Sequence, residues 1–196
     1  MCIRDSNINI SEDIQILILS LTILIYSLYL YMRTHQIFQH ISLFYSSIFF
    51  LGSVGNIIFS NIEPWAGGLF LISVGLIWGL YTLNEVLGPS WLGYFLSTTT
   101  ISIGSIILMD NLFGNNDLLQ IIILILGSVL FVWASIQLSE QVIFYIGGLG
   151  LVINLPRLIT ELLPDNIWPP LILFLVGGVL VAVGLYLNSI RENIKK

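Results

Sequence analysis

Asn154, Arg157 and Glu161 are spaced three and four apart within an otherwise apolar run, so on a helix they share one face. A guanidinium, a carboxylate and an amide on one face can hold an ion or a small polar ligand, and ionisable groups inside apolar helices are pointers to function. Pro156 removes a backbone donor beside them, which frees the Val152 carbonyl and predicts a kink. Arg157 and Glu161 have the i,i+4 spacing of a salt bridge, though in the less favourable charge order. Asn56, on an earlier run expected to point the same way through a membrane, falls at a similar depth and is a candidate neighbour. The competing reading is an interfacial anchor, with Arg157 extending its charge toward lipid head groups.

Other reactive residue types are poorly placed for chemistry. His35 and His40 fall between the first two apolar runs, where they read as a solvated loop with no third ligand at metal spacing. Thr98, Thr99 and Thr100 have no Lys or His base nearby, and Glu85 and Glu140 fall at helix ends. The only cysteine, Cys2, excludes an intrachain disulfide and any CxxC motif. No catalytic residue, metal site or cofactor is expected.

The elements that must position these groups are set by composition. Of 196 residues, 57% are hydrophobic and 9% charged, against roughly 25% charged in an average soluble domain, and the mean hydropathy is +0.98. A bilayer core about 30 Å thick needs roughly 20 residues per helix. Seven runs fit: Ile14 to Met32, Ile41 to Ser60, Trp65 to Leu83, Trp91 to Met109, Leu118 to Leu138, Val142 to Leu163, and Trp168 to Asn188. Backbone groups at that depth need internal partners, which makes the runs helices. The expected fold is therefore all-α, a polytopic bundle of seven transmembrane helices arranged as one helix plus three hairpins. Residues 1–13 form a polar N-terminal segment, 14–188 the transmembrane domain and 189–196 a charged tail. Met1 to Ser6 resemble a translated sequencing-adapter remnant, which leaves the natural start open.

The gaps after spans one, three, five and seven carry Arg33, Arg191, Lys195 and Lys196. The opposite gaps carry Glu12, Asp13, Glu63, Asp110, Asp117, Glu161 and Asp165, with only Arg157 as a cation. The positive-inside rule then predicts a cell-membrane protein with its N-terminus outside and its C-terminus cytoplasmic. Trp65, Trp91 and Trp168 fall at predicted interfaces, while Trp78 and Trp133 fall deeper. A net charge of −5, with no basic cluster beyond Arg191, Lys195 and Lys196, does not describe a nucleic-acid binder.

Small and polar residues form stripes on four spans. Span two carries Ser42, Ser46, Ser53, Asn56 and Ser60; span three Gly68, Gly75, Gly79 and Thr82; span four Gly93, Ser97, Thr100 and Gly104; span six Gly147, Gly150 and Asn154. Such faces let helices approach and bond, so they are expected to face the bundle interior. They serve packing, or alternatively line a solute path. Asn61-Ile62-Glu63-Pro64 echoes Asn166-Ile167-Trp168-Pro169, Gly79-Leu80-Tyr81 echoes Gly184-Leu185-Tyr186, and Phe44-Tyr45 echoes Phe144-Tyr145. These matches fit either a same-orientation duplication or chance in a biased composition.

The last hairpin, with its turn Pro164 to Pro169, a final span ending Gly184 to Asn188, and the tail Arg191 to Lys196, resembles the C-terminal end of uncharacterised bacterial multi-pass membrane families. The resemblance implies a multi-pass membrane fold and carries over no residue role. The expected function is that of a non-enzymatic integral membrane protein, partner-binding or envelope-organising, in contact with the bilayer and with a protein partner or a second copy as candidates. The alternative is a small-solute transporter or channel using the polar faces.

Overall fold

Uninterrupted apolar stretches separated by Pro, Gly and Asn produce long helices with short turns. In the computed structural model of the chain, residues 6–34, 36–58, 63–114, 116–162, 177–178 and 189 are described, with side chains in the first helix from residue 14. They form α1 (Ser6–Thr34), α2 (Ile37–Ile58), α3 (Pro64–Leu83), α4 (Ser90–Phe113), α5 (Asp117–Leu138) and α6 (Gln141–Leu162). All six are long and apolar enough to cross a bilayer. Their bounds follow the first six expected spans, with α1 beginning earlier and α4 ending later. The seventh span and the charged tail lie outside the described residues, apart from Gly177, Gly178 and Ser189.

Local chemistry explains several helix ends. Pro64 occupies the first turn of α3, where its missing N–H costs nothing. At the other end of α3 the chain turns through Glu85 at φ 57°, with Val86 N–H donating to the Tyr81 carbonyl and Glu85 N–H to that of Thr82. α5 ends the same way at Ser139, φ 54°, with Glu140 N–H donating to the Ser135 carbonyl and Ser139 N–H to that of Ile136. This is the left-handed C-terminal motif usually built on glycine, here built on a glutamate and a serine.

The closest packing joins α1 to α2, α3 to α4 and α5 to α6, and α4 also touches α5 and α6. The tight pairs therefore run across the turns after α1, α3 and α5. The one-helix-plus-three-hairpins expectation paired spans two with three and four with five instead. The physical reason is the position of the small residues. Gly68, Gly75 and Gly79 of α3 face Gly104, Ser97 and Ile101 of α4 so closely that a β-carbon on any of the three would collide with its neighbours. Gly93 of α4 abuts Thr82 in the same seam. Ser97 Oγ donates to the Gly75 carbonyl across it at 2.7 Å.

The other pairs use the same device more sparingly. Gly147 of α6 fits against the backbone of Ser128 and Val132 in α5. The Ser27 and Ser42 hydroxyls join α1 to α2 at 2.9 Å. Phe44 and Phe144 are buried, and each meets the more exposed tyrosine after it edge-on. Many remaining hydroxyls turn back to their own helix, as Thr22 to Ile18 and Thr100 to Leu96, which satisfies them where water is absent.

Candidate functional site

Of the four expected contact residues, Asn154, Arg157 and Glu161 share α6, and Asn56 is on α2. Asn154 is buried in α6, and its Nδ2 donates to the Gly150 carbonyl one turn back at 2.8 Å. Arg157 and Glu161 are exposed at the end of α6 and form no ion pair among the described residues. Asn56 is exposed near the end of α2. α6 packs on α5 and α4, whereas α2 packs on α1, so α2 and α6 are not among the closely packed pairs.

A different cluster is closely assembled at the end of the bundle where α1 meets α2. The solvated-loop expectation for His40 is corrected: α2 begins at Ile37, and His40 is 0% exposed within it. His35 lies outside the described residues. Trp78 of α3 donates its indole N–H to His40 Nε2 at 3.2 Å. On the other side of the ring, Nδ1 lies 3.1 Å from the Gly88 carbonyl in the α3–α4 turn. A carbonyl only accepts and an indole N–H only donates, so His40 is the neutral tautomer with its proton on Nδ1.

Tyr31, from the end of α1, closes the cluster. Its hydroxyl donates to the Gly88 carbonyl at 3.2 Å and accepts from Gly88 N–H at 3.0 Å. The Tyr31 and His40 rings meet edge-on at 5.6 Å, and Phe44 meets Trp78 edge-on at 4.9 Å. Four separate elements thus converge on one imidazole and one glycine. In this state both ring nitrogens are committed, leaving neither a lone pair nor a proton for a substrate. Trp78 was the one sequence signal available, because an indole placed deep in an apolar helix needs an acceptor, and His40 supplies it.

Beyond this cluster α2 and α4 part around a largely apolar groove of about 230 Å³. Tyr45 and Ile48 form one wall, and Phe95, Thr99 and Ile103 the other, with Leu71 of α3 at the base. Among the described residues no three metal-ligating side chains come together. Glu140, between α5 and α6, has its carboxyl raised above the ordinary carboxylate range by burial.

Comparison of the chain with protein-family profiles, with curated proteins and with solved structures finds no match.

Proposed function

We propose that the protein is a non-enzymatic multi-pass component of the cell membrane that docks a protein partner, or a second copy of itself, through its lipid-facing helices. The observation that supports this reading is where the polar side chains are spent. Of the striped polar side chains, Ser42 and Ser97 bond to a facing helix, while Ser46, Ser53, Thr82, Thr100 and Asn154 bond back to carbonyls of their own helices, so these groups are spent within the bundle. Broad apolar faces of α1 and α5 remain outside, including Tyr26, Leu130 and Trp133. A seventh crossing over Trp168 to Asn188, an outside N-terminus and a cytoplasmic C-terminus complete the proposal, resting on hydropathy and charge alternation. Arg157 and Glu161 act as an interfacial anchor at the outer end of α6, with Arg157 reaching for head groups.

Photo-crosslinking from Leu130 and Tyr26 in native membranes tests the docking role. A discrete product at one defined mass is expected, whereas adducts to lipid alone would remove the docking face. Purified protein in liposomes is expected to conduct no small solute, and Arg157→Leu to leave insertion and folding intact. Solute flux that Arg157→Leu and Asn56→Leu each abolish would replace this function with transport. Single cysteines at Asn116 and Glu140, in a Cys2→Ser background, should react with an impermeant reagent from outside and from inside respectively.

A further inference from the structure

We infer that His40 is a proton-sensitive latch that holds the α1–α2 hairpin against α3 and the α3–α4 turn. Three observations carry this. First, α2 is not among the helices packed closely on α3 or α4, so the first hairpin is gripped largely by side chains. That grip consists of the polar contacts of Tyr31 and His40 with Trp78 and Gly88, set beside an apolar core in which Leu43 and Phe44 meet Val74, Trp78, Leu92 and Leu96. Second, the walls stand apart around the groove between Tyr45 and Ile48 of α2 and Phe95 and Ile103 of α4. A hairpin whose polar bonds to the other helices lie at the His40 end, and whose remaining contacts are apolar, can shift beside that seam. Third, the pin is a group whose hydrogen-bonding pattern changes with one proton.

The neutral ring fits its surroundings on both sides, as Nδ1–H donates to Gly88 and Nε2 accepts from Trp78. A proton added at Nε2 turns the acceptor into a second donor. It then points at the Trp78 N–H, two donors facing one another, and the ring carries a charge in an apolar setting. Among the described residues no charged group bonds to the ring to balance that charge. The titratable group facing the ring is Tyr31 from α1, whose hydroxyl is already bonded to Gly88; α3 presents Trp78 and the turn presents the Gly88 carbonyl. Arg33, two residues beyond Tyr31, bonds to the Tyr29 hydroxyl, and neither it nor Glu85 of the α3–α4 turn forms an ion pair or hydrogen bond with the ring among the described residues. Protonation therefore breaks the Trp78 bond and releases the hairpin, widening the seam.

The experiment uses the full chain in liposomes with Cys2→Ser and spin labels at Ile48→Cys and Ile103→Cys, on opposite groove walls. Distances are measured in steps from about pH 7.5 down to about pH 4, from above the ordinary imidazole value near 6.5 to well below it. Otherwise unchanged protein should shift reversibly to longer separations as the pH falls. His40→Gln keeps one donor and one acceptor without titrating, and should hold the short distance throughout. Trp78→Phe keeps an aromatic ring against Phe44 but removes the opposing N–H, and should shrink the shift. An unchanged distance across this range with His40 present, or a shift in His40→Gln equal to that with His40, overturns the latch.

Discussion

Gly68 of α3 and Gly104 of α4 stand back to back: a β-carbon on Gly68 would lie 2.8 Å from the Gly104 carbonyl oxygen, and one on Gly104 would lie 2.8 Å from that of Gly68. The neighbours are backbone atoms, which cannot rotate aside. Gly68→Ala and Gly104→Ala should each destabilise the protein by about 1–3 kcal/mol through overpacking. Gly52 and Gly127 sit in helices where a β-carbon meets nothing within 4 Å. Alanine there should be neutral, or stabilising by up to about 1 kcal/mol. Denaturation in mixed micelles ranks the four variants, and equal effects at all four positions would contradict the close seam.

Ser97 tests how much of that seam is hydrogen bonding. Its hydroxyl donates to the Gly75 carbonyl of the facing helix, and interhelical bonds of this kind average about 0.6 kcal/mol. Ser97→Ala should therefore cost less than Gly75→Ala, whose β-carbon would lie 2.9 Å from the Ser97 carbonyl oxygen. The same unfolding assay reads the difference, and a reversed order would assign the seam to polar bonding over close contact.

Glu85 and Ser139 end α3 and α5 in the left-handed conformation. A residue with a β-carbon is penalised there by roughly 1–2 kcal/mol, and glycine avoids the clash while giving up some chain entropy. Glu85→Gly and Ser139→Gly should each raise stability by about 0.5–1 kcal/mol. A fall in melting temperature for either would mean that its side chain holds the turn.

Glu140 links stability to pH. Burial favours its protonated form in the folded protein, so the folded state binds more protons than the unfolded chain over the interval between their two pKa values. Stability from this group is fully present below the unfolded value and is lost as pH rises through the raised folded value. Glu140→Gln should remove that downward slope and be the more stable protein at neutral pH. Parallel pH profiles for the two proteins would show that Glu140 is solvated in the fold.

The six described helices, their near-correct limits and the inward faces of α3 and α4 were all legible in the residue order. Run length, hydropathy and the spacing of Gly68, Gly75, Gly79, Gly93, Ser97 and Gly104 are properties of neighbours along the chain, and a bilayer leaves a long apolar run little choice but helix. The burial of Asn154 beside Gly147 and Gly150 followed from the same spacing. Which helices pair was decided only in three dimensions, because a small-residue face fits any comparably flat partner until shape selects one. His40 shows the limit most clearly. Its partners Trp78 and Gly88 lie 38 and 48 residues away, and nothing in its local sequence separates a loop histidine from one whose two nitrogens are claimed by distant elements. Burial and tautomer were both conferred by packing, since a polar ring can enter an apolar bundle only where donor and acceptor are both waiting for it.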